Sequence, residues 1–385
     1  MPKPMSYQAP WWLPGGNLQT IYAALRSRRY LAEAPRFRRE RWITPDDDFV
    51  DVDFAQHPAV QGGSLGAGFT AGPPPGETAP SGGSEPHAVG SVGAGFTAGP
   101  PPGETAPSGG SEPHAVGSVG AQPLLVVFHG LEGSSASHYA EAFADVARVR
   151  GWACAVPHFR GCSGELNRAP RVYHSGDFEE IDWILRRFQR EHAGPVVAVG
   201  ISLGGNALMR WAGEMGAEAG QVVRAVASVC SPLDLASSGR AIGQGFNRLV
   251  YTRMFLNSMV PKALRKLEQH PGLFSAEALL AARDLYAFDN VVTAPLHGFR
   301  NTEDYWERAS AKPHMRRIAV AALALNALND PFVPASGLPR AADVSPAVTL
   351  WQPRQGGHVG FPSAPFPGHV RLMPEAVCGF FAAQL

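Results

Sequence analysis

The stretch VVAVGISLGGNALMR, Val196–Arg210, decides the fold. Its short apolar start reads as a strand covered on both faces, and the amphipathic residues after Gly204 read as a helix. Between them lies Gly200-Ile201-Ser202-Leu203-Gly204, a Gly-x-Ser-x-Gly nucleophile elbow. In such an elbow the backbone turns so tightly that glycine is needed on either side of the serine. The turn lifts the hydroxyl above the carboxyl edge of a sheet, where open α/β folds bind ligands. The helix that follows aims the positive end of its dipole at the same point. A glycine-rich turn with a helix-capping serine has the same five letters. The order of the flanking elements therefore has to carry the inference.

Working outward, strands and helices alternate. LLVVFHG (Leu124–Gly130) is a second continuous apolar run. A helix is expected around Ala136–Arg150, a strand at Trp152–Pro157 and a helix at about Gly176–Glu191, with Phe178, Ile181, Leu185 and Phe188 on one side. After the elbow come expected strands at Val223–Ser231, Ala321–Leu328 and Ala347–Trp351, and a closing helix at Pro374–Ala383. Upstream, FVDVDFA (Phe49–Ala55) alternates apolar and acidic residues, as a strand exposed on one face would. This order predicts an α/β fold with a mostly parallel central sheet and helices on both faces. Between about Leu235 and Arg317 the alternation stops, and stretches such as NRLVYTRMFLNSMV and AEALLAARDLYAF read as helices. Inserted before the strand that leads to Asp330, this block reads as a helical cap.

One segment fits no fold. GAGFTAGPPPGETAPSGGSEPHAVGSV fills Gly66–Val92 and recurs unchanged at Gly93–Val119, each copy holding seven glycines and five prolines in 27 residues. It has no apolar period and no face to share, so it is expected to be a disordered, tandemly duplicated surface loop, with His87 and His114 incidental. The chain then divides into an N-terminal segment with the first strands (1–60), that loop (61–121), a core with the elbow (122–234), the cap (235–317) and a returning core (318–385).

The 385 residues carry 33 basic and 33 acidic side chains, a formal net charge of zero. That balance, with no recognition motif, argues against nucleic acid. Arg26–Arg41 holds seven arginines against Glu33 and Glu40. Interleaved charges of this kind mark a solvated face, and a weak peripheral contact with an anionic membrane is the alternative. Four cysteines without CxxC spacing read as small buried hydrophobes in a reducing compartment. No signal-peptide core or bilayer-length apolar run is present, so a soluble cytoplasmic protein is expected. No metal-ligand spacing or phosphate loop appears, and no cofactor is expected. The oligomeric state has no signature.

A serine nucleophile needs a base, and the base needs an orienting carboxylate. LNALNDPFVP puts Asp330 just past one expected strand, and WQPRQGGHVGFP puts His358 just past the next, in a glycine-rich turn. Serine, aspartate, histidine is the chain order this elbow implies. HGLEGSS (His129–Ser135) follows an earlier strand, where a second oxyanion donor belongs. The candidate donors are the backbone N–H groups of Leu131 and Leu203. His129 reads as a brace for that loop, and Ser134 and Ser135 as caps of the next helix. Asp234 is the reserve acid, and Cys162 a thiol with no base beside it.

At these residues the chain resembles the α/β-hydrolase superfamily, and within it the AB hydrolase 4, or YheT-like, family. The matching stretches are WWLPGGNLQT, HGLEGSS, FRGCSGE, GISLGGN, NALNDPF and GGHVGF, spanning nearly everything except the duplicated segment. Trp306 stands where the family usually has tyrosine, and Ala321 where proline or serine is usual. The resemblance implies a charge relay of Ser202, Asp330 and His358, and action on carboxylic esters, including medium-chain acyl and lipid esters. An acyltransferase using the same acyl-enzyme and a non-catalytic binder on the same scaffold are the alternatives. Serine at the elbow argues against dehalogenation or epoxide opening, which need a carboxylate nucleophile there.

Overall fold

The computed structural model describes residues 7–56 and 121–385. The duplicated segment lies outside the described residues. Eight strands form one sheet: β1 (Arg36–Ile43), β2 (Phe49–Gln56), β3 (Leu124–Phe128), β4 (Ala153–Pro157), β5 (Val196–Ile201), β6 (Ala225–Val229), β7 (Ala321–Leu325) and β8 (Val348–Trp351), in the order β1-β2-β4-β3-β5-β6-β7-β8. From β4 to β8 every neighbouring pair is parallel, whereas β1 and β2 add on antiparallel.

The apolar runs form central strands because both their faces are covered. On one side Leu124, Val126 and Ala198 pack against Ile181, Leu185 and Phe188 of α3 (Phe178–Glu191) and against Leu208 and Trp211 of α4 (Leu203–Met215). On the other, Leu125, Val127 and Val197 meet Phe143 of α2 (His138–Val149) and Val377 and Phe381 of the closing helix (Leu372–Ala382). Successive residues of one strand thus serve two cores. All four cysteines are buried and free.

Two features differ from the sequence reading. Helix α1 (Gly15–Leu25) and strand β1 lie in a region given no elements there. And β2, expected to expose one face, is buried from Phe49 to Phe54. Its aspartates are covered by the arginines directly across the β1–β2 ladder. Arg39 pairs with Asp53 through Nε at 2.7 Å and Nη2 at 2.9 Å, and Arg41 pairs with Asp51 at 2.8 and 2.9 Å. Asp53 also accepts from the Ser135 hydroxyl at 2.6 Å and bonds the His158 ring at 2.9 Å. Buried carboxylates of this kind persist because each lone pair finds a donor.

Residues 235–309 are helical: α5 (Leu235–Ile242), α6 (Arg253–Gln269), α7 (Ala276–Ala281) and α8 (Thr302–Ala309), joined by shorter turns. A wide turn at Arg248–Thr252 leads into α6. Asn206 of α4 ties this block to the core. Its buried amide donates to the Ser175 and Ala309 carbonyls, and its oxygen accepts from the Ala311 N–H. Among the described residues no helix is long and apolar enough to cross a membrane.

Candidate active site

Ser202 joins the end of β5 to the start of α4 with φ at 51° and ψ at −118°. The strained angle falls on the serine itself, not on the glycines beside it. Those glycines supply clearance: a Cβ on Gly200 would stand 2.4 Å from the Gly204 carbonyl oxygen, and one on Gly204 would stand 2.4 Å from the His129 oxygen. Helix, strand and neighbouring loop approach so closely that no side chain fits between them.

The structure brings together the three residues named from the sequence. Ser202 Oγ lies 3.0 Å from His358 Nε2, and His358 Nδ1 lies 2.9 Å from Asp330 Oδ2. Asp330 Oδ1 accepts the backbone N–H groups of Phe332 at 2.8 Å and Val333 at 3.2 Å. The carboxylate is thereby aimed, with one oxygen held by the chain and the other left for the imidazole. The Phe332 ring covers His358 at a centroid distance of 4.1 Å. If Nδ1 carries the proton that Asp330 accepts, Nε2 is free to take the serine proton.

The N-terminal helix, unassigned from the sequence, braces this arrangement. Gln19 Oε1 accepts from Gly356 N at 2.9 Å and from the Asn329 amide at 3.0 Å. Asn329 Oδ1 accepts from Gly357 N at 3.0 Å, and the Thr20 hydroxyl accepts from His358 N at 2.8 Å. The stretch NLQT therefore stitches the aspartate turn to the histidine turn. Gly357 allows it: at φ +64° a side chain is disfavoured, and its Cβ would meet the Gly16 oxygen at 2.7 Å.

The loop after β3, where the sequence places a second oxyanion donor, runs beside the serine, since a Cβ on Gly130 would lie 3.2 Å from the Ser202 Cβ. Leu131 follows directly, and neither its N–H nor that of Leu203 finds a protein acceptor among the described residues. His129 is a brace. Its Nδ1 meets the Gly130 carbonyl at 2.7 Å, its Nε2 accepts the Phe159 N–H at 3.0 Å, and burial pushes its pKa down to about 3. Ser135 does not cap α2, since its hydroxyl serves Asp53, and the cap position is Ser137. Asp234 caps α5, accepting from Ser237 N at 3.0 Å, and has no hydrogen bond to His358. Burial pushes the Cys162 thiol up to about 12, which leaves it un-ionised.

Above the serine opens a cavity of about 160 Å³, lined at its floor by Leu131, Ser202 and His358 and at its sides chiefly by apolar groups such as Ile242, Phe255 and Met259. The donor atoms of Cys230, Asp330 and His358 lie within 4.8 Å of one another, the closest thing to a metal-ligand group among the described residues. Asp330 and His358 already bond each other there, and burial raises the Cys230 thiol far above its usual range. The cluster reads as packing around the Asp330–His358 hydrogen bond. A group not singled out in the sequence also borders the cavity, where Glu132, Tyr173, Ser258 and Lys262 converge.

Residues 123–365 match the family described as alpha/beta hydrolase fold, and the chain belongs to that family. The Escherichia coli protein named "Putative esterase YheT" is 42% identical over 244 residues, covering 62% of this chain and 71% of that one. The chain belongs with YheT to one branch of the family. The mouse phospholipase ABHD3 is 25% identical over 270 residues, covering 69% of this chain and 64% of that protein. The monoacylglycerol lipase of Saccharomyces cerevisiae is 27% identical over 251 residues, covering 63% and 55%.

Proposed function

We propose that the protein is a serine hydrolase that cleaves carboxylic esters with an apolar acyl group through an acyl-enzyme. The observation that carries this reading is the unbroken path from Ser202 through His358 to Asp330, with steps of 3.0 and 2.9 Å, at the floor of an apolar cavity. His358 takes the proton as Ser202 Oγ attacks the ester carbonyl. Asp330 holds the imidazole in the tautomer that can accept at Nε2, and stabilises the imidazolium once it forms. The Leu131 and Leu203 amides receive the oxyanion; each such donor contributes about a hundred- to a thousandfold in rate. His358 then protonates the departing alcohol, and water repeats the sequence to release the acid. The names of the relatives, esterase and lipase, point to the same substrate class.

The test is a panel of p-nitrophenyl esters from acetate to palmitate, run on wild type and Ser202→Ala. Groups that act as a unit fail together, so turnover should fall by about six orders of magnitude. A Ser202→Ala protein that keeps a tenth of wild-type turnover would remove the serine from the mechanism.

A further inference from the structure

The residue after Leu131 is held from the cap. Glu132 has a positive φ of 56°, a conformation that a residue with a side chain keeps only when its surroundings enforce it. Its N–H donates to the Tyr173 hydroxyl at 2.9 Å, and that hydroxyl donates back to Glu132 Oε1 at 2.9 Å. The Tyr173 ring is itself fixed, stacked on Phe159 at 5.5 Å with the planes 7° apart. The second carboxylate oxygen accepts from Lys262 Nζ at 2.8 Å and from the Ser258 hydroxyl. Ser258 and Lys262 stand one turn apart on α6, whose Phe255, Met259 and Ala263 line the cavity.

The Glu132 side chain is only 8% exposed, so its carboxylate depends on those donors. Lifting α6 would strip it of its cation and one hydroxyl at once, a costly loss for a buried charge. The strained backbone of Glu132, which anchors the chain directly after Leu131, would lose its support at the same moment. We infer that Lys262 and Ser258 are positioning residues. Through Glu132 they hold the Leu131 N–H at the Ser202 oxygen, so that the oxyanion site is complete only while α6 is docked. This rests on the hydrolase reading above.

The test compares wild type with Lys262→Met, Lys262→Arg and Ser258→Ala on p-nitrophenyl butyrate. Active sites are counted by end-point labelling with a fluorophosphonate, and the inhibition constant of an alkylboronate, whose adduct occupies the oxyanion site, is measured alongside. Misplacement of a reacting group by about 1 Å costs on the order of a hundredfold. Lys262→Met should lose at least tenfold in kcat per labelled site with KM within threefold, the boronate should weaken in parallel, and Lys262→Arg should restore the rate. Ser258→Ala, which decides the matter if Lys262→Met does not fold, should lose at least threefold. A helix that merely packs would change KM or stability instead. Smaller losses in kcat, or losses carried by KM alone, overturn the coupling. An inert, unlabelled wild type brings down the hydrolase reading itself.

Discussion

Asp330→Asn replaces one oxygen by an amide nitrogen at almost no change in volume, and the geometry dictates which way the amide turns. Two backbone donors, Phe332 N at 2.8 Å and Val333 N at 3.2 Å, already point at Oδ1. The asparagine oxygen must take that place. The opposite orientation leaves two buried N–H groups facing an NH₂, at a cost of about 1–3 kcal/mol each. The NH₂ therefore faces His358 Nδ1, which can only accept from it. The proton moves to Nε2, which then donates toward Ser202 and can no longer take its proton. A bias of about 2 kcal/mol alone leaves the working tautomer at a few per cent, by the rule of tenfold per 1.4 kcal/mol. Loss of the negative charge beneath the imidazolium adds the rest, so kcat should fall by about 10³- to 10⁴-fold. The assay is kcat per labelled site at pH 7, with urea unfolding as control, where the midpoint should barely move. Asp330→Ala, which frees the tautomer but orphans both N–H groups, should trade part of that kinetic penalty for lost stability. An Asp330→Asn enzyme that keeps more than a tenth of wild-type kcat refutes the assignment of this carboxylate as the group that orients the ring.

Two further outcomes follow from packing and burial. Gly204→Ala puts a methyl 2.4 Å from the His129 oxygen and 2.7 Å from the Phe128 oxygen, both backbone atoms. It should lower the urea-unfolding free energy by about 1–3 kcal/mol and reduce kcat, since the atoms displaced lead into the oxyanion loop. An unchanged protein would show that the loop yields freely. Burial depresses the pKa of His129 to about 3 and of His174 to about 4. Unfolded histidine titrates near 6.5, so between these values the unfolded chain binds more protons and stability rises with pH. The contribution is complete above about pH 6.5 and is lost on acidification, by up to about 1.4 kcal/mol per pH unit for each ring. Urea midpoints at pH 7.0 and 5.5 should show the fall, and a midpoint that holds or rises contradicts it.

The central parallel strands were legible because they are covered on both faces, and β3 and β5 read as unbroken apolar runs. Strand β1, RFRRERWI, carries mostly charge and lies at the sheet edge, where a hydrophobic period has no reason to appear. The burial of Asp51 and Asp53 was hidden for a related reason. It depends on the register that sets Arg41 and Arg39 opposite them, and register is a property of two strands rather than one. The candidate site was legible where chain order and turn residues coincide, at Ser202, Asp330 and His358. Glu132 stayed hidden because its partners lie 41, 126 and 130 positions away, on a loop and on one face of a helix. The stretch WWLPGGNLQT stood out only by resemblance, with no role attached, although the polar side chains of NLQT ask for partners. Those partners, at positions 329 and 356–358, could only be named once the fold was known.

The elbow is enforced by the sheet more than by its glycines. Two residues with side chains, Ser202 at φ 51° and Cys230 at φ 50°, sit at the carboxyl ends of adjacent strands. Each such angle costs on the order of 1–3 kcal/mol. Both residues nevertheless donate the last rung of a ladder: Ser202 N to the Val229 carbonyl at 2.9 Å, and Cys230 N to the Leu325 carbonyl at 2.7 Å. Relaxing Ser202 to an extended conformation would break its rung, swing the start of α4 away from β3, and uncover the β5 side chains packed beneath. Those losses exceed the strain they would relieve. The serine is thus held upright by β6 and Cys230 by β7, so the reactive edge inherits the rigidity of the most deeply buried part of the molecule. The helices of residues 235–309, by contrast, reach that edge by side chains alone: the polar contacts on Glu132, and Tyr251 and Phe255, whose rings meet Phe332 beside His358.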